Sequence, residues 1–409
     1  MRMKTAEGNK MHYDRSICFP QGFAASAVSA GIKSNGLNDL GLVYAENGAV
    51  VASVFTLNRF QAAPVLVSRK NISSSHGKVS AILVNSGCAN SLTGKSGIRS
   101  AERMLSEIAR QLHVGKNTVL AASTGVIGKH LPEKSISESI PSLVAGLSVD
   151  GDTRFAQSIM TTDKFPKQVA TEIRIGKETF RIGGTAKGAG MIHPNMATML
   201  CFITTDAAVD RRVLQNALTR ATDRSFNTIT VDGDTSTNDT VFLLANGASG
   251  VKIKTTSEIN LFTDALTVIM RELATMIVRD GEGATRFVRL KIESAANYHD
   301  AVRVGRAVGT SPLVKTAIFG GDPNWGRVLS AVGNSTANYD PSRVELNIGE
   351  VCVFKKNEPQ RVDQVKLKEL FSTKEIEMTV KLNAGRESAQ VFTCDLSYDY
   401  VKINGEYTT

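Results

Sequence analysis

The chain has 409 residues, room for two or three domain-sized units, and its 42% hydrophobic and 21% charged residues are ordinary for a globular protein. Its formal net charge of +9 is spread along the chain, with no basic run and no basic stretch interleaved with aromatics, which excludes a typical nucleic-acid-binding arm. The first residues lack the apolar core of a secretory signal, and no stretch reaches the roughly 18–20 apolar residues of a membrane span. We therefore expect a cytoplasmic protein without a membrane or nucleic-acid partner.

The cysteines indicate a reducing compartment. They are odd in number, lie far apart and include no Cys-X-X-Cys pair, which argues against a disulfide framework and against a zinc site. They are Cys18, Cys88, Cys201, Cys352 and Cys394.

One acidic segment resembles a calcium-binding loop. Residues 232–239, DGDTSTND, place side-chain oxygens at alternating positions. The segment lacks the glycine and the distal glutamate at the spacing of an EF-hand. We therefore expect no metal site in this chain.

The patterns of the first half predict strands and an amphipathic helix. Residues 38–56 hold two apolar, β-branched runs separated by the letters ENG, which predicts a strand pair joined by a turn. Further strands are expected at 81–87 and 119–124, and a hairpin at 168–186. Apolar residues recur at helical spacing across 98–112.

The second half repeats this mixture. Strands are expected at 200–209, 240–247 and 287–294, and helices at 213–221 and 259–278. The last third alternates strands with a lysine-bearing segment. Because strands and helices mix throughout, without a fixed-period repeat, the fold class is α/β or layered α+β.

The segment from Lys187 to Leu200, KGAGMIHPNMATML, carries the most specific chemistry. Thr198 follows the small Ala197 and precedes an apolar run typical of a buried strand. Its hydroxyl could attack the preceding carbonyl and cleave the chain, and the freed α-amine could then act as the base for that hydroxyl. The alternative is a strand that simply begins with a β-branched residue.

This segment resembles the signature of the ornithine acetyltransferase family, also called glutamate N-acetyltransferase, of arginine biosynthesis. Further blocks run in family order across nearly the whole chain: FTLNRFQAAPV, LVNSGCANSLTG, STGVIG, IMTTDKFPK, TVDGDTSTNDT, RDGEGATR, GGDPNWGRV and YVKINGEYTT. Cys88 departs from the family, which more often has a polar residue there, but we expect it to lie outside the chemistry.

The resemblance implies a fold and a processing event. The fold would have helices sandwiching β-sheets around an N-terminal-nucleophile-like site, a DmpA/ornithine-acetyltransferase-like fold. Self-cleavage between Ala197 and Thr198 would leave an N-terminal α chain, residues 1–197, and a C-terminal β chain, residues 198–409, beginning with the nucleophile.

The resemblance also implies the residues of acyl transfer. Thr198 would be the nucleophile, and Thr124 and Gly125 resemble the oxyanion pair, since a glycine lets its N–H approach closely and the hydroxyl adds a donor. From the residues alone, STGVIG is more typical of an ordinary strand-to-helix turn. Lys187 would hold a substrate α-carboxylate. Thr161 fits the family spacing as its hydroxyl partner better than Thr162 does.

Four more residues are candidates near the substrate. Glu282 could pair with the amine of ornithine or orient the amine of Thr198, or it could be a surface turn acid. Asn404 and Thr409 resemble the family's last two substrate contacts, although a chain terminus is usually frayed. His193 suits a structural or autoprocessing role better than that of a base.

These residues predict a ping-pong acetyltransferase that moves acetyl from N-acetylornithine to glutamate. The cycle requires no cofactor, with acetyl-CoA as a second donor in some family members, and the cleaved fragments are expected to form a heterotetramer of two of each. Two alternatives stay open: an amidohydrolase or aminopeptidase with the same nucleophile, and an unprocessed binding protein for amino-acid metabolites.

Overall fold

The computed structural model describes residues 10–193 and 199–406. Within them the strands form three sheets, of nine, six and two strands. The strands are β1 (Met11–His12), β2 (Phe23–Val28), β3 (Leu40–Phe55), β4 (Lys78–Cys88), β5 (Val119–Val126), β6 (Lys167–Ile175), β7 (Glu178–Lys187), β8 (Leu200–Thr205), β9 (Ala208–Val209), β10 (Thr240–Ala245), β11 (Lys252–Ile253), β12 (Phe287–Ala295), β13 (Glu345–Ile348), β14 (Val351–Lys355), β15 (Glu358–Pro359), β16 (Glu375–Lys381) and β17 (Glu387–Cys394).

The α-helices lie either between the nine-stranded and six-stranded sheets or on the outer faces of these sheets. They are α1 (Ala63–Ser74), α2 (Gly94–Gln111), α3 (Glu133–Ala145), α4 (Asp152–Ser158), α5 (Arg211–Asp223), α6 (Thr256–Arg279), α7 (Tyr298–Gly309), α8 (Pro312–Gly320), α9 (Trp325–Gly333), α10 (Gln364–Ser372) and α11 (Tyr398–Glu406).

The nine-stranded sheet has the order β1-β6-β7-β8-β10-β3-β4-β5, with β2 also paired to β3. Strand β8 lies between β7, to which it is antiparallel, and β10, to which it is parallel. All six residues of β8 are buried because both faces of the sheet are covered. Cys201 and Ile203 contribute to the core on the α5–α6 side, and Leu200 and Phe202 to the core on the opposite face.

Helix α6 packs between the two large sheets. Its start is fixed by a capping box in which the Thr255 side chain accepts from the backbone of Glu258 and the Glu258 side chain caps the backbone of Thr255. Its apolar residues share one core with strands of the large sheet and with Phe287 and Phe392 of the six-stranded sheet. Helices α7–α10 contribute to a second core on the other face of that smaller sheet. This layered arrangement of helices and sheets confirms the predicted fold class.

The predicted turn within residues 38–56 is wrong. The segment is one sixteen-residue strand, β3, rather than a hairpin. The register against β4 shifts between Tyr44 and Ala49, and Gly48 there takes a positive φ of 72°. The ENG letters therefore form an irregularity that leaves the chain direction unchanged, because the two halves of β3 pair with different neighbours, β2 and β10.

The other predicted elements agree with the structure in type, including β4, β5, β8, α2 and α6. The sequence-based prediction lacks the helices α1, α3, α4 and α11, and it also lacks the consecutive helices α7, α8 and α9. Of these last three, α8 and α9 have only nine residues, and the buried side of α7 consists mainly of valine and glycine, which have low helix propensity. Over the two described ranges, no helix is both long and apolar enough to cross a bilayer.

Candidate active site

A cleft of about 220 Å³ gathers the predicted site residues that the structure describes. They come from five separate stretches of the chain and meet where several elements of the large sheet end. They are Thr124, Gly125, Thr161, Lys187, Glu282 and Asn404. Ala197, Thr198 and Thr409 lie outside the described residues. The roles assigned to all nine residues stay predictions.

Thr124 and Gly125 lie near the end of β5, where it pairs with β4. Gly125 has a φ of 127°, and a Cβ there would lie 2.3 Å from the carbonyl carbon of Gly87. Only glycine fits this close approach of two strands without moving the backbone. The position is therefore more constrained than an ordinary turn.

Asn238 fixes the backbone just after β4 and within β5. Its Nδ2 donates to the carbonyl oxygens of Ala89, at 2.6 Å, and Ser123, at 2.9 Å. Ser123 immediately precedes Thr124, so this buried amide fixes the backbone just before the candidate oxyanion pair. The sequence-based prediction missed Asn238, although it lies in the quoted block TVDGDTSTNDT.

Cys88 lies closer to this pair than the sequence suggests. It is opposite Thr124 in the irregular end of the β4–β5 register. A Cβ added to Gly125 would lie 2.5 Å from its backbone nitrogen. The buried thiol itself donates to the Lys129 carbonyl oxygen at 3.2 Å, and burial raises the thiol pKa.

Lys187, the last residue of β7, connects two threonines. Its Nζ donates to Thr161 Oγ1 at 2.9 Å and to Thr124 Oγ1 at 3.2 Å. Because an ammonium group can only donate, each threonine hydroxyl accepts here and keeps its own proton for another partner. Burial lowers the pKa of Lys187, whereas the nearby carboxylate of Asp163 acts in the opposite direction.

Thr161 and Thr162 both line the cleft. Of the two, Thr161 makes the hydrogen bond to Lys187, which supports the choice made from family spacing. The loop is held by Asp163, whose Oδ2 accepts from the Thr161 N–H at 3.0 Å.

Glu282 follows α6 and forms another wall of the cleft with Asn404 of α11. Asn404 Nδ2 donates to Glu282 Oε2 at 2.8 Å. A Cβ at Gly190 would lie 2.3 Å from the Glu282 carboxylate, so a larger residue there would displace this carboxylate from its present position. Glu282 is 6% exposed, which excludes the surface-turn interpretation.

Asp232 adds a further carboxylate to the cleft, which Asp234 and Tyr400 also line. Its two oxygens accept from the backbone N–H groups of Met191, at 2.5 Å, and Ile192, at 2.8 Å. Burial raises the pKa of Asp232, and these N–H groups partly offset the effect. With Lys187 also in its lining, the cleft offers charges of both signs, which suits a zwitterionic amino acid.

His193 and Met199, the described residues on either side of the candidate scissile bond, are both held by hydrogen bonds. His193 Nδ1 lies 3.2 Å from Thr230 Oγ1, and the His193 carbonyl oxygen accepts from Thr235 Oγ1. Burial lowers the pKa of His193. At the other end, the carbonyl oxygen of Met199 accepts from the Thr240 N–H at 3.1 Å. These contacts support a structural role for His193.

Asp239, beside Met199, is a buried carboxyl group that the sequence-based prediction did not single out as a site residue. It is 3% exposed, and its Oδ2 has no hydrogen-bond partner among the residues that the structure describes. Burial raises its pKa well above the ordinary value, although the Met199 N–H and the charge of Lys187 act in the opposite direction. Within the described ranges, no three His, Cys, Asp or Glu side chains form a metal-binding group.

The ArgJ family model matches residues 24–409. The chain belongs to the ArgJ family. Arginine biosynthesis bifunctional protein ArgJ of Dehalococcoides mccartyi is 47% identical over 400 residues, covering 97% of this chain and 98% of that protein. Its counterpart in Symbiobacterium thermophilum is 46% identical over 397 residues, covering 96% and 98%.

The solved structure of an ornithine acetyltransferase also matches part of the chain. This ornithine acetyltransferase of Mycobacterium tuberculosis, complexed with ornithine, is 33% identical; the match covers 46% of this chain and 98% of that chain, with a TM-score of 0.43. The family match confirms the sequence-based identification and the enzyme class. This chain is an acyltransferase of arginine biosynthesis.

Proposed function

We propose that this ArgJ-family chain cleaves itself between Ala197 and Thr198 and then transfers acetyl from N-acetylornithine to glutamate through an acetyl-threonine. The observation that carries the proposal is the cleft in which Lys187 links Thr124 and Thr161 across from Glu282 and Asn404. A carboxylate-binding cation, a candidate oxyanion donor and an acid for an amine thus meet in one place.

Self-cleavage would supply the base as well as the nucleophile. The Thr198 hydroxyl attacks the Ala197 carbonyl carbon, the peptide C–N bond breaks as its nitrogen takes up a proton, and water then hydrolyses the ester. The products are residues 1–197 with a terminal carboxylate and residues 198–409 with a free α-amine. A free α-amine has an ordinary pKa of about 7.7–8.0, so a useful fraction is neutral near pH 7.

Acetyl transfer would then run in two half-reactions. Lys187 holds the substrate α-carboxylate as a point charge, and Glu282 faces a substrate or terminal amine. The Thr124 hydroxyl, which accepts from Lys187, has its proton left to donate to the developing oxyanion together with the Gly125 N–H. Ornithine leaves after the first half-reaction, and the neutral α-amine of glutamate accepts the acetyl group in the second.

The proposal extends to the partners and the donor. Thr409 completes the substrate contacts, the two fragments assemble as a heterotetramer in the cytoplasm, and no cofactor enters the cycle. Acetyl-CoA serves as a second acetyl donor, in keeping with the bifunctional name of the curated relatives. An assay of acetyl-CoA with glutamate tests that extension separately.

Intact-mass measurement with N-acetylornithine alone tests the central step. We expect one added acetyl group on the C-terminal fragment, removed by glutamate with formation of N-acetylglutamate and parallel-line kinetics. Rapid release of acetate without glutamate, and no N-acetylglutamate with it, would support the amidohydrolase alternative. A single uncleaved chain that binds but does not turn over these metabolites would support the binding-protein alternative.

A further inference from the structure

A buried charge triad lies directly behind the cleft. Lys167 Nζ donates to Asp163 Oδ1 and to Asp280 Oδ2, each at 2.6 Å. The side chains of Asp163 and Lys167 are 0% exposed. Charged groups this deep are costly to bury unless they are paired and hydrogen bonded. Because the triad is buried, it does not contribute to the solubility of the surface, and its role must lie in the contacts that it makes inside the protein.

Asp163 does more than neutralise Lys167. The oxygen that pairs with Lys167 also accepts from the Gly188 N–H at 2.7 Å, and the other oxygen accepts from the Thr161 N–H at 3.0 Å. Gly188 directly follows Lys187, and Thr161 is hydrogen bonded to the Lys187 ammonium. One carboxylate therefore fixes the backbone beside both ends of the Lys187–Thr161 contact.

Asp280 connects the triad to the segment that carries Glu282, on the other wall of the cleft. It accepts from the Lys164 N–H at 3.0 Å as well as from Lys167. It ends α6 only two residues before Glu282, whose N–H donates to the Ala189 carbonyl oxygen at 2.9 Å. The triad thus joins the segments that carry three candidate substrate contacts.

Several charged groups around Lys187 shift the pKa of this lysine, and Asp163 is the most important carboxylate among them. Burial lowers the pKa of Lys187, and Lys167 lowers it further, whereas Asp163, Glu282 and Asp239 raise it; among these carboxylates Asp163 has the largest effect. Lys33 also faces this group: burial and, to a lesser degree, Lys187 lower its pKa to about 8, although Asp39 and Asp163 act in the opposite direction.

Asp163 itself stays ionised. Burial alone would raise its pKa, but Lys187 and Lys167 together hold it well below the ordinary value of an aspartate. It is therefore a permanent negative charge beside a lysine whose own burial favours the neutral amine.

We propose that Asp163 is the positioning residue of this cleft, holding the Lys187 ammonium charged and aligned with Thr161 for a substrate carboxylate. The inference rests on the proposed function in assigning the carboxylate to Lys187. Asp163 touches no substrate in this role and acts entirely through Lys187 and the Thr161 loop.

Replacement of Asp163 by asparagine tests the electrostatic part. Asp163→Asn removes the charge but keeps a similar shape, so Lys187 should lose its proton at a lower pH than in the parent. We expect the KM for N-acetylornithine to rise about ten- to a hundredfold near pH 7.5, as for loss of one charge-assisted hydrogen bond. The ratio of variant to parent KM should shrink toward about pH 6, because acid restores the ammonium. The ratio cancels titrations that both proteins share, and the window lies below the pKa of Lys33, about 8.

Lys167→Met is the matched control. It breaks the same triad but leaves the Asp163 charge beside Lys187 and removes a cation that lowers the pKa of Lys187. We expect a loss of thermal stability and a KM ratio that does not change with pH. A purely structural triad would make the two variants behave alike, and that result, or a pH-independent ratio for Asp163→Asn, would overturn the inference.

A triple variant keeps the test open if Asp163→Asn does not fold. Asp163→Asn/Lys167→Met/Asp280→Asn removes all three charges of the triad, so no buried charge is left without its partner, and proteins often tolerate such a replacement of a whole buried ion group. It still lacks the charge beside Lys187, so its KM ratio should fall with acid, and a flat ratio counts against the proposal. Failure of the proposed function looks different: the parent would form no N-acetylglutamate, or Lys187→Met would leave KM unchanged.

Discussion

At the scale of single residues, hydrogen-bond direction decides what the cleft offers a ligand. The Lys187 ammonium has no acceptor, so both threonines that contact it must direct their own protons elsewhere. The arrangement separates two roles: the cation attracts a carboxylate, and the Thr124 hydroxyl donates to charge that develops during the reaction.

Thr124→Ala should therefore affect the transition state more than the ground state. We expect kcat and kcat/KM to fall together, on the order of a hundred- to a thousandfold, with self-cleavage retained. Steady-state kinetics on the purified, cleaved variant provide the measurement. Thr124→Ser keeps the hydroxyl and should retain most activity; equal activity of the alanine variant and the parent would return this residue to a structural turn.

Lys187→Met should act mainly on binding. Loss of the point charge removes the partner of the substrate carboxylate, so KM for N-acetylornithine should rise at least about tenfold, with a smaller loss of kcat. The same assay with glutamate varied checks whether both substrates use this lysine. An unchanged KM for both would remove Lys187 from the site.

Asp239 predicts a pH dependence of stability. Its folded-state pKa is raised by burial, so the folded chain holds this proton more tightly than the unfolded chain does. The resulting stability is fully present below the unfolded pKa of about 3.9 and is lost as pH rises toward the folded pKa, at about 1.4 kcal/mol per unit.

Asp239→Asn provides the comparison, since the amide stays neutral at every pH. We expect the Tm of the aspartate protein to fall relative to that of the asparagine variant as pH rises from about 4 to about 8. Both proteins should be measured as Thr198→Ala chains so that processing does not differ between them. A Tm difference that stays constant with pH would mean that Asp239 titrates as it does in the unfolded chain.

At the scale of elements, the C-terminal helix α11 contributes to the site but not to the core. None of its described side chains is buried, yet Tyr400 and Asn404 line the cleft and Asn404 is bonded to Glu282. Function and stability should therefore separate here.

Ending the chain at Ser397 tests that separation. We expect Tm to change by only a few degrees, because little apolar area is lost, and KM for N-acetylornithine to rise more than about tenfold. Asn404→Ala is the single-residue counterpart and should give a smaller rise in KM. A truncated enzyme with parental kinetics would show that α11 does not contact the substrate.

At the scale of the whole molecule, the proposed cleavage divides the chain without dividing its structure. Residues 1–197 supply β7 and β3, residues 198–409 supply β8 and β10, and β8 pairs with β7 while β10 pairs with β3. Lys167 and Asp280 add a buried ion pair across the same division.

Mass spectrometry under native and denaturing conditions tests this division. The parent should give two fragments that co-purify and separate only in denaturant, whereas Thr198→Ala should remain one chain. Splitting of the alanine variant at the same bond would show that Thr198 is not the nucleophile. Separation of the parent fragments in native buffer would contradict the shared sheet.

Much of the fold follows from apolar periodicity, and the described candidate residues were found through motif blocks. Strand β8 was predictable because five successive apolar residues have no solvent face. The long β3 was not, because ENG signals a turn locally and only its pairing with separate neighbours keeps it extended.

The supporting residues of the site show why sequence reasoning stopped where it did. Asp163, Asp232 and Asn238 act through backbone groups of distant segments, and those partners become visible only in three dimensions. Their letters lie within recognised blocks, but spacing along the chain carries no information about which amide each side chain accepts from or which carbonyl it donates to.

Because β8 lies inside a sheet to which both proposed fragments contribute, the order of folding and cleavage matters for this protein. An intact chain folds at a rate independent of its concentration. After cleavage, a denatured molecule must find its other half, so recovery becomes a second-order process and stability depends on concentration. The proposed enzyme would therefore fold as one chain before it is cleaved. If the cleaved form unfolds at high dilution, refolding would be slow because the two fragments rarely meet.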